Sequence, residues 1–493
     1  MTAPTHYKML IDGEWVGASD GAMFESINPT TGKVWAMIPE ATADDVDRAV
    51  RAADRAFNHG AWPVMTATQR GHCLRRLADL VLEKADDFGA VETLDTGKLL
   101  KETRWQAKYI AEFFHYFAGC ADKIHGETLP IDKPDMFVFT RREPLGVIAA
   151  VVPWNSQLFL SAVKIGPALA AGNTVVLKVS EHASAPMLEF GALIDAAGIP
   201  PGVVNIISGH GDPCGRVLTS HKLVARVSFT GGPGAARQIL TNSTHNFAQV
   251  SLELGGKSPI IVFDDANLES AVNSAISGIF GATGQSCVAG SRLLLQETIA
   301  DAFLDRMVAL AGQIKIGDPL ADDTEMGPIC TQEQLDCIER EVARAISEGG
   351  RVLCGGGRVA ELAGRFYHPT IIDCPSADMH IVDTEMFGPV LSVVRFTDEA
   401  DAIRLANQTE HGLAAGIFTR DGARQLRMVR SVKAGIVWVN TYRAVSPIAE
   451  FGGMKTSGYG RESGLQAVYD YTRPKTVWIN TSDATLGSQF IAR

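Results

Sequence analysis

From about residue 145 the chain alternates between short apolar runs and longer stretches in which apolar residues recur every three or four positions. The short runs predict buried strands at 146–152, 174–179, 203–207 and 225–229. The stretches between them predict helices at 158–171, 183–197, 212–220 and 235–242, with Gly172, Gly198 and Pro200 as stop signals. Strands separated by helices in this way predict a parallel sheet covered on both faces, the doubly wound α/β arrangement.

Upstream, 44–57, 69–92 and 104–118 have the apolar spacing of amphipathic helices and are expected to cover that sheet. A second alternating block begins near Pro259. It predicts strands at 260–263, 292–295, 392–396, 415–418 and 435–439, with helices at 268–280, 299–310 and 333–348. Two successive α/β blocks predict two domains meeting near residue 255, and a cleft between domains is a favoured place for a ligand. Segments 135–142 and 476–480 are β-prone but belong to no βα unit; on their own they read as a hairpin or an edge strand.

The chain has 493 residues, 46% hydrophobic and 20% charged, as in a globular protein with more than one core. Its net charge of −11 is spread without a basic block, so neither a nucleic-acid nor an anionic membrane partner is expected. Residues 1–20 are polar and lack a secretory pattern. The apolar run 162–179 is interrupted by Lys164, Gly166, Pro167 and Gly172, short of the roughly 20 residues of a membrane span. The cytoplasm is the expected compartment. The eight cysteines are scattered without CxxC pairs, and the twelve histidines show no ligand spacing, so no metal is expected.

Cys287 stands in Gly284-Gln285-Ser286-Cys287-Val288-Ala289-Gly290, and Glu253 in Leu252-Glu253-Leu254-Gly255-Gly256-Lys257. An ordinary thiol is only a few per cent thiolate at neutral pH, so a nucleophile needs a base or a positive field. Small neighbours open the sulfur to a substrate carbon; the plain alternative is a packed thiol in a tight turn. A carboxylate closing the apolar run 250–254 must lie at a surface, in a cleft or in a bonded pair, and partial burial raises its pKa and suits it to proton abstraction. Asn155, in Pro153-Trp154-Asn155, follows the strand at 146–152 at its carboxyl end, where open α/β sheets bind ligands. Its amide can donate to an oxyanion, or simply cap the next helix.

Gly209-His210-Gly211-Asp212-Pro213-Cys214-Gly215 is not a GxGxxG fingerprint and reads as a strand-to-helix turn. Other motifs are Asn173-Thr174-Val175-Val176-Leu177-Lys178-Val179-Ser180-Glu181, Phe229-Thr230-Gly231-Gly232-Pro233-Gly234, Glu385-Met386-Phe387-Gly388-Pro389 and Phe451-Gly452-Gly453-Met454-Lys455.

Taken in order, these motifs resemble the NAD(P)-dependent aldehyde dehydrogenase superfamily, from Asn28-Pro29-Thr30-Thr31-Gly32 to about Trp478. The resemblance implies two doubly wound Rossmann-like domains with a small β oligomerisation arm. An NAD-binding domain would comprise 1–125 and 145–254, a catalytic domain 255–465, and the arm 126–144 and 466–493. It implies a homodimer or homotetramer acting on a small-molecule aldehyde. Cys287 would be the nucleophile, Asn155 the oxyanion donor, and Glu253 the base that activates water to hydrolyse a thioester. Trp154, Lys178, Glu181, Gly231, Gly232, Glu385 and Phe387 would bind the cofactor. Glu181 favours NAD, with NADP possible because Lys178 could serve either.

The sequence departs from the family pattern at Val179, where proline is usual, at Gly232, where serine is usual, and at Glu450, where proline is more common. Ser156 stands where many relatives carry phenylalanine, and Val163 where some carry tryptophan. With Phe159, Ser286, Val288 and Phe451 they would line a wide substrate pocket for bulky or functionalised aldehydes. Glu253 argues against the CoA-acylating branch, and the intact set Cys287, Glu253, Asn155 and Glu385 against a silent scaffold. A cysteine hydrolase would need a histidine partner that the sequence does not identify.

Overall fold

The computed structural model describes residues 3–485; the expectations that fall on 1–2 and on the end of the arm, 486–493, lie outside the described residues. Two large sheets dominate. In the first, Val147–Val151, Thr174–Lys178, Val204–Ile207, Val224–Gly231 and Gln249–Leu254 run parallel. Antiparallel strands Met9–Ile11 and Glu14–Val16 extend one edge, and Gly458–Tyr459 closes the other against Leu252 and Glu253. The second sheet has parallel strands Pro259–Val262, Arg292–Gln296, Thr370–Asp373, Val390–Phe396, Ala414–Phe418 and Ile436–Val439, with Arg351–Cys354 antiparallel at its edge.

Each sheet buries both faces, and the side chains divide by the two-residue period of a strand. Val147 and Ala149 pack with Val46, Ala49 and Val50 of helix Ala43–Asn58. Ile148 and Ala150 pack on the opposite side with Leu74, Leu77, Phe113, Phe117 and Ile165. In the second sheet Ile260 and Val262 join Val272, Ile279 and Phe303, whereas Ile261 and Leu294 join Leu335, Ile338 and Val342. Burial on both faces explains why these strands read as continuous apolar runs.

Three helices differ from expectation. The stretch 69–92 forms two helices, Ala67–Glu83 and Ala85–Thr96, divided at Lys84. The stretch 183–197 divides at Gly191, where a Cβ would meet the Trp15 ring at 2.8 Å. The helix expected at 212–220 is α-helical only over Arg216–Ser220, behind a wider π-type turn at Gly211–Gly215 that is broken where Asp212 is extended ahead of Pro213.

The segments at 135–142 and 476–480 pair with each other. Met136–Pro144 and Thr472–Asn480 form an antiparallel ribbon in register from Pro144–Thr472 to Met136–Asn480. Phe137, Trp478 and Ile479 stand exposed on it. Among the described residues no helix is long and apolar enough to cross a membrane.

Candidate active site

Loops from the carboxyl ends of the first sheet meet loops that lead into the second. Asn155 follows Val147–Val151, Gly232 follows Val224–Gly231, and Glu253 is the next-to-last residue of strand Gln249–Leu254. From the other side, Cys287 precedes Arg292–Gln296 and Glu385 precedes Val390–Phe396. Two cavities result. One of about 400 Å³ is lined by Trp105, Gln106, Ser156, Phe159, Val163 and Phe451 among others. One of about 250 Å³ is lined by Trp154, Gly231, Gly232, Glu253, Glu385 and Phe387. Asn155, Leu160 and Cys287 border both, so the thiol stands at their junction.

The loop before Cys287 is held in a conformation that L residues seldom adopt. Ala282, Thr283 and Gly284 have φ of 53°, 56° and 71°. A Cβ at Gly284 would overlap the Gly388 carbonyl, so only glycine lets this loop lie against the turn that follows Glu385. On its far side the loop is pinned by the Tyr442 hydroxyl, which donates to the Val288 carbonyl at 3.0 Å.

Burial pushes the Cys287 thiol up to about 12, and the nearby Glu385 and Glu253 carboxylates push the same way, against the pull of Arg443. The resting side chain is therefore a thiol, and forming the thiolate requires a proton acceptor. Burial also holds Glu253 well above the ordinary carboxylate range, with Glu462 adding to the rise and Lys164 opposing it. Neither Glu253 oxygen has a hydrogen-bond partner among the described residues. A buried carboxyl without partners is costly unless water or a ligand reaches it.

Sequence reading missed the group behind Glu253. Lys164, fully buried in helix Gln157–Ala170, forms a short ion pair with Glu462 and donates to Thr230 Oγ1 at 2.8 Å and Ser228 Oγ at 3.3 Å. Its signal was available as a lysine inside an apolar helix, a position that demands a buried partner.

The Asn155 Nδ2 donates to the Gln285 carbonyl at 3.0 Å, which leaves its second N–H free. Glu385 accepts from the Gly256 N–H at 3.0 Å, and burial raises it to about 7. A Cβ at Gly255 would overlap the Glu385 carboxylate. The Trp154 and Phe387 rings meet edge to face at 5.4 Å. Gly232 caps helix Pro233–Asn242 without a side-chain bond, leaving N–H groups at a helix N-terminus on the smaller cavity.

Lys178 and Glu181 stand apart from both cavities and hold each other at 3.3 Å. The Lys178 ammonium keeps the Glu181 carboxyl below its usual value despite burial.

Of the expected pocket residues, Ser156, Phe159, Val163, Ser286, Val288 and Phe451 all border the larger cavity. Phe159 meets Phe113 at 5.0 Å, and Phe451 and Cys287 both pack against the buried cluster of Val288, Leu413, Ala414 and Trp438. Trp105, Gln106, Trp438 and Arg443 also line it. Those four carry no motif; they reach the site through helix Leu100–Cys120 and the end of Ile436–Val439.

The model of the aldehyde dehydrogenase family matches residues 15–477. A protein of Acinetobacter baylyi, (Z)-2-((N-methylformamido)methylene)-5-hydroxybutyrolactone dehydrogenase, is 54% identical over 489 residues, which cover 99% of each chain. The NAD+ complex of an aldehyde dehydrogenase from Bacillus cereus superposes with a TM-score of 0.95 at 39% identity, covering 97% of each chain. A betaine aldehyde dehydrogenase point mutant of Staphylococcus aureus, also with NAD+, superposes with a TM-score of 0.96 at 39% identity, covering 99% of each chain.

Proposed function

Because this chain belongs to the aldehyde dehydrogenase family and is an NAD-dependent aldehyde oxidoreductase, we propose that Cys287 is its nucleophile, Asn155 its oxyanion donor and Glu253 its proton acceptor. The position of the thiol, at the junction of two cavities beside the Asn155 amide, carries this reading. The larger cavity then takes the aldehyde and the smaller the nicotinamide end of the cofactor.

The residues fit such a cofactor. The uncapped helix N-terminus at Gly232 suits a pyrophosphate, the buried Glu385 carboxylate suits a ribose hydroxyl, and the Trp154–Phe387 pair offers an aromatic wall. When bound, NAD supplies the hydride acceptor that makes the oxidation possible.

Cys287 Sγ adds to the aldehyde carbon, and its proton passes to Glu253 or to water held there. The free Asn155 N–H and the Cys287 backbone N–H stabilise the oxyanion of the hemithioacetal; one such donor is typically worth about 2.7–4 kcal/mol. Oxidation leaves a thioester on Cys287. Once that first proton has passed on to solvent, Glu253, a stronger base than an ordinary carboxylate, removes a proton from water as the water attacks the thioester carbon. The carboxylic acid departs and Cys287 regains its proton.

Among substrates, the Acinetobacter relative is named for a hydroxybutyrolactone that carries a formamido group, which supports a functionalised aldehyde over a simple one here. A panel of aldehydes assayed by NADH formation, with the wild-type protein and Cys287→Ala, tests the reading. It requires turnover in the first and none in the second.

We also assign 1–125 and 145–254 to cofactor binding, 255–465 to catalysis, and 126–144 with 466–493 to an oligomerisation arm. A two-stranded ribbon is marginal in isolation, and this one exposes Phe137, Trp478 and Ile479, so pairing with another subunit would cover them. Light scattering at several concentrations tests whether a dimer or tetramer forms. The cytoplasm remains the expected compartment.

A further inference from the structure

One wall of the larger cavity is polar, and its polarity is set from behind. Lys98 lies between helices Ala85–Thr96 and Leu100–Cys120 and is only 3% exposed. Its Nζ donates to Gln106 Oε1 at 2.5 Å, Ser156 Oγ at 3.0 Å and Glu92 Oε1 at 3.2 Å. Glu92 is itself buried, so the pair is held away from water.

An ammonium has three donors and no acceptor. Whatever faces it must present an oxygen lone pair, and the three partners use all three of its hydrogens. The Gln106 amide is thereby fixed with oxygen towards Lys98 and NH2 away from it. The Ser156 hydroxyl accepts from Lys98, so its own hydrogen must point elsewhere. Both residues are half-buried and border the cavity, and neither side chain has a second partner among the described residues. Arg443, on the same lining, is also donor-only; its Nη1 rests on the Ser277 carbonyl. Glu462 faces Lys164, and Glu450 is exposed at the lining.

We propose that Lys98 is a positioning residue for substrate choice: it turns Gln106 and Ser156 into a donor-only wall, and the enzyme selects aldehydes that carry a hydrogen-bond-accepting oxygen, a carboxylate or an amide carbonyl, remote from the reacting carbon. This rests on Cys287 being the reacting centre in the same cavity. An aldehyde with a plain alkyl tail leaves two donors unpaired on closing off water, a cost that an acceptor oxygen removes.

The test uses three aldehydes of one chain length, butanal, 4-oxobutanamide and 4-oxobutanoate, with NAD. The wild-type kcat/KM is expected to favour an oxygenated aldehyde over butanal by roughly tenfold or more. Equal rates for amide and carboxylate assign a neutral carbonyl; a higher rate for the carboxylate assigns an anion shared with Arg443. Ser156→Ala and Gln106→Leu each remove one donor and leave the Lys98–Glu92 pair in place, and each should cut the oxygenated-to-butanal ratio several-fold through KM. Lys98→Met would strand the buried Glu92, so the double variant Lys98→Met/Glu92→Gln is measured as well. It should lose the same ratio, again in KM for the oxygenated aldehydes.

Butanal oxidised as well as both oxygenated aldehydes overturns the proposal, as does a preference that survives all of these variants. NADH formation with none of the three, or with Cys287→Ala as well as wild type, overturns the assignment of the reacting centre instead.

Discussion

The Asn155 side chain donates to the Gln285 carbonyl at 3.0 Å and so ties the turn after a strand of the first sheet to the loop that carries Cys287 in the second. The bond fixes both the direction of the amide and the height of the loop. Its second N–H is the donor that the oxyanion would use.

Replacement of Asn155 by alanine removes that donor together with the tether. The expected loss in kcat is about 10²–10³-fold, the usual effect of deleting one oxyanion donor. Steady-state rates at saturating aldehyde and NAD measure it. A loss under about threefold would take Asn155 out of the reaction.

The acid limb of the pH–rate profile should belong to Glu253. It acts as a base only when ionised, and burial and Glu462 raise its pKa, so activity falls as pH drops through that raised value. Glu462→Gln removes a negative charge and leaves Lys164 less neutralised; both changes favour the Glu253 carboxylate. The acid limb of kcat should therefore move to lower pH. A limb that stays in place or moves upward would contradict the coupling.

Glu385 owes its position to a missing side chain. A Cβ at Gly255 would overlap its carboxylate, which accepts from the Gly256 N–H. Gly255→Ala should therefore raise the KM for NAD by roughly tenfold or more, a loss comparable to that from displacing a bonded charged group. Glu385→Gln, which can keep the Gly256 contact, should do less. The reverse order, measured by NAD titration of initial rates, would separate Glu385 from the cofactor.

Ser156 and Val163 are small for their positions, and the cavity they border measures about 400 Å³. Across straight-chain aldehydes kcat/KM should rise from acetaldehyde to longer chains, by a few-fold per buried methylene. A maximum at acetaldehyde would mean that the width of the cavity plays no part in selection.

The central parallel strands that both sheets bury on two faces were legible as continuous apolar runs. Met9–Ile11, Glu14–Val16, Arg351–Cys354, Thr370–Asp373 and Gly458–Tyr459 were not, since they offer only two to four residues each and Glu14–Val16 and Arg351–Cys354 are exposed or half-buried. The amino-terminal strands Thr5–His6, Met23–Asn28 and Lys33–Pro39 were missed as well, since they carry exposed or half-buried residues without a clean alternation. Asn155, Glu253 and Cys287 stood out as residue types at the ends of predicted elements, and they meet at one pair of cavities. Lys98 and Lys164 did not stand out, because their meaning lies in partners far away in sequence or brought near only by helix packing: Lys164 with Glu462, Lys98 with Ser156. Local pattern reports burial of an element; it does not report which polar groups that burial brings together.

The central claim is that Cys287 carries the reacting acyl group and Glu253 releases it. Glu253→Gln should be mixed with aldehyde and NAD, then read by intact-protein mass spectrometry and peptide mapping. The account predicts one equivalent of NADH followed by stalled turnover, with the acyl mass on the peptide that contains Cys287. Undiminished steady-state turnover, or an acyl group on any other residue, would contradict it.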